Sequence, residues 1–247
     1  MAESPDYSVP AVDKALDVLE VLADREGGLT QTEIAEATGR SVSQIFRVLV
    51  TLEARGWIVR DRASGVYSLS MAAFDLAHRH APLRGLLVAA TPVMRDLAAE
   101  VRQSCNLAVL DGGAVRVVAQ VESPADFGYR VRVGAAFPLA SATGTVLVAG
   151  AEPELRAALI GEVDPDEVAR IASDGSLRRD DPREPGIADM VATVRDVRGH
   201  ARAALTVPYV TTSFSEADAE RVRVLAVEAA DAISTRLHPS RPPRSGD

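Results

Sequence analysis

At 247 residues, with 47% hydrophobic and 25% charged residues, the chain has the composition of a soluble globular protein with room for two domains. No apolar run approaches the roughly 20 residues of a membrane span, and Met1 to Pro10 lacks the cationic start and apolar stretch of a secretory signal. One cysteine, Cys105, rules out an internal disulfide framework and fits a reducing cytoplasm, and the net charge of −8 argues against indiscriminate coating of nucleic acid.

Residues 1–8 are polar and are expected to be disordered. From Val9 to Asp24, Val12, Ala15, Leu16, Leu19, Val21 and Leu22 give an amphipathic helix, and Gly27-Gly28 stops it. Two capping boxes follow. Thr30-Gln31-Thr32-Glu33 opens one short helix and Ser41-Val42-Ser43-Gln44 opens the next, with a turn at Thr38-Gly39-Arg40 between them. The second helix carries Ile45, Val48, Leu49 and Leu52 on one face and Ser43, Gln44 and Arg47 on the other. After Gly56 the pattern changes to Trp57–Arg62 and Val66–Leu69, two strands joined through Ser64-Gly65, with Arg60 and Arg62 alternating onto one face. This is a winged helix-turn-helix. Five arginines between Arg40 and Arg62 face only Glu53 and Asp61, so this stretch is +3 while the rest of the chain carries −11. A basic patch on an acidic body fits sequence-specific binding of double-stranded DNA. Gln44 and Arg47 are expected to face base edges and Ser43 and Arg62 to meet phosphates, with Arg40, Ser41 and Arg60 completing the surface.

Met71–His78 reads as a connector helix that closes before Pro82, and His78 and His80 as solvated linker residues. A long amphipathic helix from about Leu83 to Arg102 is interrupted or offset at Pro92. Three strands are expected at Asn106–Leu110, Val115–Val121 and Tyr129–Val133. A small-residue loop, Pro138–Gly144, then enters a helix at Thr145–Ala149. Helices near Glu152–Ile160 and Asp166–Ser173 precede a charged loop, Leu177–Pro185. Strands near Asp189–Arg195 and Ala201–Val207 and a helix from Ser215 to Leu237 close the fold. The second half is therefore an α+β domain with a mostly antiparallel sheet, of a size suited to small-molecule sensing. It shows no Rossmann glycine pattern, no P-loop and no cluster of metal ligands, so neither cofactor nor metal is implied. Cys105 has no cationic neighbour closer in sequence than Arg102 and reads as a structural small residue rather than a redox sensor. His200 and Ser141 are the nearest approach to a nucleophile and base, and nothing in the sequence brings them together, so the chain does not read as an enzyme.

Taken whole, from about Ala11 to Leu237, the chain resembles the IclR family of bacterial transcriptional regulators. The resemblance rests on Leu52-Glu53-Ala54-Arg55-Gly56-Trp57-Ile58, on Val131-Arg132-Val133-Gly134 followed by Pro138-Leu139, on Ala142-Thr143-Gly144, and on Gly186–Val194 leading into Asp196-Val197-Arg198-Gly199. It implies a DNA-binding domain over residues 9–70, a linker helix over 71–82, a GAF-like effector domain over 83–238 and a disordered tail over 239–247. It also implies a homodimer or tetramer, and a ligand-controlled repressor or activator of small-molecule metabolism that answers to small, often carboxylate-bearing metabolites. The other reading is an oligomeric DNA-binding regulator whose C-terminal domain only assembles. In a GAF-like domain the ligand lies between the sheet and its covering loops. The residues expected to bind it are Ser141, Thr143 and Gly144, Asp189 at the head of its strand, Thr206 on the neighbouring strand, and Cys105 or Asn106 from the first strand. The chain departs from the family pattern at Thr145, where lysine is common, at Met190-Val191-Ala192-Thr193-Val194, where the pattern reads Ile-Ala-Ala-Pro-Val, and at Asp189, where a small residue or cysteine is frequent. A buried anion beside Asp189 needs a proton or a cation to offset it.

Overall fold

The computed structural model describes residues 9–79, 81–126, 128–181, 185–210 and 218–238. The terminal segments 1–8 and 239–247, His80, the His78 side chain, and Ser215 and Glu216 lie outside the described residues. The chain divides into two compact units, one ending at Leu83 and the other beginning at Arg84.

In the first unit, α1 (Pro10–Ala23), α2 (Gln31–Ala37) and α3 (Val42–Ala54) enclose a core of Val18, Leu22, Ile34, Ile45, Leu49 and Leu52. The local chemistry sets the boundaries. Thr30 caps α2, with its backbone N–H and hydroxyl donating to the Glu33 carboxylate at 2.7 Å. Gly39 adopts φ +63, the left-handed conformation that ends a helix, and Arg40 N–H reaches back to the Ala35 carbonyl at 2.9 Å. The wing is shorter than the pattern suggests: β1 (Ile58–Arg60) pairs antiparallel with β2 (Tyr67–Leu69). Arg62 therefore lies in the connecting turn and does not share a strand face with Arg60. Asp61 holds that turn by accepting from Ala63 and Ser64 N–H, which keeps its carboxyl below the usual carboxylate range. Gly28 is required where Leu29 bridges to Tyr67, since a Cβ there would sit 2.3 Å from the Tyr67 carbonyl oxygen. Helix α4 (Ala72–Arg79) ends the unit.

The second unit is built on a six-stranded antiparallel sheet. Its strands are β3 (Cys105–Asp111), β4 (Ala114–Val121), β5 (Ala136–Phe137), β6 (Ser176–Asp180), β7 (Ile187–Arg195) and β8 (Ala201–Val210), in the order β5-β4-β3-β8-β7-β6. One face packs on α5 (Ala81–Val101) and α9 (Ala219–Leu237) through residues such as Met94, Leu205 and Ile233. The other packs on α6 (Ala142–Ala149) and α8 (Pro165–Asp174) through Val146, Leu147 and Ile171. Helix α7 (Pro153–Leu159) and a short 3-10 turn, Ile160–Glu162, connect them.

Three expectations need correction. Helix α5 runs unbroken through Pro92. Proline removes only one backbone bond, the Thr91 hydroxyl donates to the nearby Leu87 carbonyl at 2.7 Å, and the buried face from Leu86 to Val101 holds the helix together. Residues 129–133 form no strand: Tyr129 and Val131 pack inward, but among the described residues the backbone tie to β4 is made beyond them, at Gly134-Ala135. The stretch expected as a charged loop contains β6, an edge strand whose Arg178, Arg179 and Asp180 are the charges edges tolerate. Helix α9, expected from Ser215, is described from Ala219, with the Asp218 carboxylate as its cap.

Candidate functional site

Helix α3 exposes Ser43, Gln44 and Arg47 on the side away from Ile45, Leu49 and Leu52. Their spacing places small, amide and cationic groups along its first two turns, the arrangement a groove-entering helix needs. Several of these side chains are engaged within the unit. Arg40 Nε and Nη2 donate to Asp17 Oδ2 of α1 at 3.1 and 2.5 Å, fastening the turn to the first helix. Gln44 is already engaged, its Oε1 accepting the Ser41 N–H at 2.9 Å, so only its amide NH2 is free to read a base without uncapping α3. The Ser41 and Ser43 hydroxyls are hydrogen-bonded to each other at 3.1 Å. Arg60 and Arg62 are both exposed, and the Arg60 guanidinium stacks 5.3 Å from the Tyr67 ring centroid. Sequence reasoning passed over Phe46, which is 52% exposed beside Arg47. A large apolar residue outside the buried i, i+4 set was the signal.

The second site is a cavity of about 220 Å³ in the unit from Arg84 onward. Strand alternation builds its floor. Asn106 of β3, Val117 of β4, Ile187 and Asp189 of β7, and Thr206 and Pro208 of β8 turn one way, while Cys105, Leu107, Met190 and Leu205 turn into the opposite layer. The segment from Tyr129 to Thr143 supplies the cover, with Tyr129, Phe137 and Ser141 among its lining residues. Arg179, Asp180 and Asp181 complete the lining.

Five of the seven sequence candidates meet here: Asn106, Ser141, Thr143, Asp189 and Thr206. Thr143 and Thr206 share a hydrogen bond of 2.9 Å between their hydroxyls, from residues 63 apart in the chain. Cys105 does not join them. It points into the opposite layer, its thiol donates to the Met94 carbonyl at 3.4 Å, and burial pushes its pKa up to about 12, so it is an inert small residue. Gly144 does not line the cavity either. The chain around it is already helical, its N–H is taken by the Ser141 hydroxyl at 3.2 Å, and a Cβ would lie 2.2 Å from the Leu139 carbonyl oxygen. Its role is close packing of α6.

Arg179 was not anticipated, because its stretch read as a loop. Its guanidinium donates to the Ala140 carbonyl at 2.8 Å, to Thr145 Oγ1 at 3.0 Å and to the Glu167 carboxylate. The cation beside position 145 thus arrives from β6. Asp189 has no hydrogen-bond or ion-pair partner among the described residues; burial, then the nearby Asp181 charge, raises its pKa to about 6 despite Arg179. Elsewhere the fold brings Glu152, Asp196 and His200 within 4.8 Å, a grouping no sequence spacing revealed. Asp196 Oδ1 is spent on the Arg198 and His200 N–H groups, and Arg198 lies 3.7 Å from Glu152, so it reads as a braced hairpin turn. Among the described residues no helix is long and apolar enough to cross a membrane.

Residues 11–62 match the IclR helix-turn-helix domain, and residues 80–180 match the C-terminal domain of the bacterial transcriptional regulator IclR. The chain belongs to the IclR family. It is an IclR-type transcriptional regulator with a helix-turn-helix DNA-binding unit, and its relatives are regulators of transcription. It is 29% identical over 249 residues to the HTH-type transcriptional regulator BhcR of Paracoccus denitrificans, covering 94% of this chain and 89% of that one. An HTH-type regulator of Mycobacterium tuberculosis is 30% identical over 228 residues, 86% of each chain. Among solved structures, HmgR of Pseudomonas aeruginosa superposes with a TM-score of 0.70 at 27% identity, over 92% of this chain and 99% of that one. An IclR homolog from Microbacterium hydrocarbonoxydans, complexed with 4-hydroxybenzoate, shares the fold at TM-score 0.75 and 24% identity, over 93% and 100%.

Proposed function

We propose that this IclR-type regulator binds operator DNA through α3 and the wing and releases or strengthens that grip when a small molecule enters the cavity. On this reading residues 9–70 bind DNA, 71–82 link and 83–238 sense. The protein acts in the cytoplasm on genes of small-molecule metabolism and carries out no catalysis. The observation that carries the proposal is the cavity itself: about 220 Å³, largely apolar in lining, with a few convergent polar groups at Asn106, Thr206 and Asp189. A purely assembling domain has no use for polar groups facing an internal void. The 4-hydroxybenzoate held by the Microbacterium relative supports a ligand of comparable size. Gln44 through its amide, Arg47 and Phe46 would read base edges, with Ser43, Arg60 and Arg62 on the backbone. Because one such helix reads few base pairs, the working unit is at least a dimer on a pseudo-palindrome. Fluorescence anisotropy on operator and scrambled duplexes, with and without compounds that raise the melting temperature, tests it. Operator affinity that no stabilising compound changes would reject ligand control.

A further inference from the structure

We propose that the cavity selects a cationic ligand: an apolar body, best aromatic, carrying one ammonium or amidinium group set against Asp189. The inference rests on the cavity being the effector site and adds the charge of its occupant. Of the acidic side chains that line the cavity, Asp180 pairs with Arg178 at 3.4 Å and is mostly exposed, so the acid that faces the interior is Asp189, with Arg179 as the lining cation. That cation is already held by the Ala140 carbonyl, Thr145 Oγ1 and the Glu167 carboxylate, whereas Asp189 has no hydrogen-bond or ion-pair partner among the described residues. A carboxylate ligand would set a second negative charge beside Asp189, with Arg179 already engaged elsewhere. An ammonium would supply the missing one.

Two further observations point to a ligand rather than to an acidic surface. Asn106 is 5% exposed, lines the cavity, and its amide has no hydrogen-bond partner among the described residues. Its carbonyl oxygen offers an ammonium a second acceptor across the floor from Asp189. Tyr129 and Phe137 also line the cavity, in a chain with only ten aromatic residues, and ring faces beside a carboxylate are the usual surroundings of a bound organic cation. Anion recognition at the start of α6 is blunted, because the Ser141 hydroxyl accepts the Gly144 N–H.

The test measures binding of phenethylamine, 2-phenylethanol and phenylacetate, near-isosteres of charge +1, 0 and −1, to the full-length protein by calorimetry and thermal shift at neutral pH. The amine should bind at least about tenfold more tightly than the acid, about 1.4 kcal/mol. Asp189→Asn should remove about tenfold of the amine's affinity while leaving the alcohol within about twofold, which also shows that the variant is folded. Tighter binding of the acid, an amine affinity indifferent to Asp189→Asn, or no amine binding at about 10 mM overturns the inference. Ala140→Trp, which crowds the cavity, separates this failure from failure of the site. If the alcohol or acid binds and Ala140→Trp abolishes it, the cavity is the ligand site and only the charge assignment falls. If the amine binds and neither variant alters it, its site lies elsewhere and both readings fall.

Discussion

Asp189 carries a cost that the folded chain does not offset by itself. Its pKa rises from 3.8 to about 6 on folding, so the native state keeps this proton to higher pH than the unfolded chain does. The penalty is absent below about pH 4, grows as pH rises to about 6, and is constant above that. Asp189→Asn should therefore be more stable than the parent at neutral pH, by on the order of 1–3 kcal/mol, and the difference should vanish towards pH 4. Urea unfolding of both proteins across that window measures it, and equal stability at neutral pH would contradict the burial argument. On the DNA side, Arg47→Ala should cost on the order of 1–3 kcal/mol of operator binding. Arg62→Ala should weaken operator and scrambled duplexes alike and lower the salt slope by about one. Arg40→Ala should behave differently from both. Since Arg40 is bound to Asp17, its loss should reduce stability by under about 1 kcal/mol and leave the salt slope unchanged, with Asp17→Ala adding nothing further in the double variant. A lowered slope would return Arg40 to the DNA interface.

At the scale of elements, three small features control how the sites are held. Helix α6 lies against the backbone at Leu139, and only glycine at 144 permits the approach. Gly144→Val should destabilise the second unit by more than about 2 kcal/mol, with ligand binding lost only as a consequence of unfolding. Chemical denaturation distinguishes this from a selective loss of binding in a folded protein, which would put Gly144 back in the pocket. Helix α3 has a comparable double use. Gln44 closes its N-terminus by accepting the Ser41 N–H, so reading a base with the same oxygen would require uncapping, at about 1 kcal/mol. The edge strand β6 has a third: it blunts the sheet with charge and delivers Arg179 to α6 and α8.

For the molecule as a whole, the exposed apolar surface of the first unit bears on assembly. Val12 and Leu16 on α1 and Met71, Phe74 and Leu76 around α4 are each more than half exposed, although the neighbouring positions Val18 and Leu22 are buried. Single exposed apolar residues are ordinary, but a set on two helices of one small unit fits a contact between copies. Leu16→Glu should shift the protein towards monomer in light scattering at micromolar concentration and weaken operator binding by more than the loss of one base contact. A parent protein that is already monomeric and binds DNA one to one would exclude this arrangement.

The sequence by itself determined what depends on neighbours within one helical turn or one hairpin. The capping boxes at Thr30 and Ser41, the left-handed Gly39, the polar face of α3 and the core residues Leu22, Ile45, Leu49 and Leu52 were legible, because caps and 3.6-residue periodicity are interactions over three or four positions, whereas Val18, fully buried, was passed over for the exposed Val12 and Leu16. The family resemblance was legible for the same reason, being carried by short runs such as Ala142-Thr143-Gly144. The tertiary structure decided what depends on partners far apart. Cys105 and Asn106 are adjacent and equally plausible on paper, yet antiparallel pairing with β8 sends one into the inert layer and the other into the cavity. A strand alternates faces at every residue, so only the register, set by residues about 100 positions away, could separate them. The same holds for Arg179 and Asp189. They are a register pair across β6 and β7, and which of them is satisfied depends on Glu167 and Thr145 reaching Arg179 from two helices, a competition no local pattern encodes.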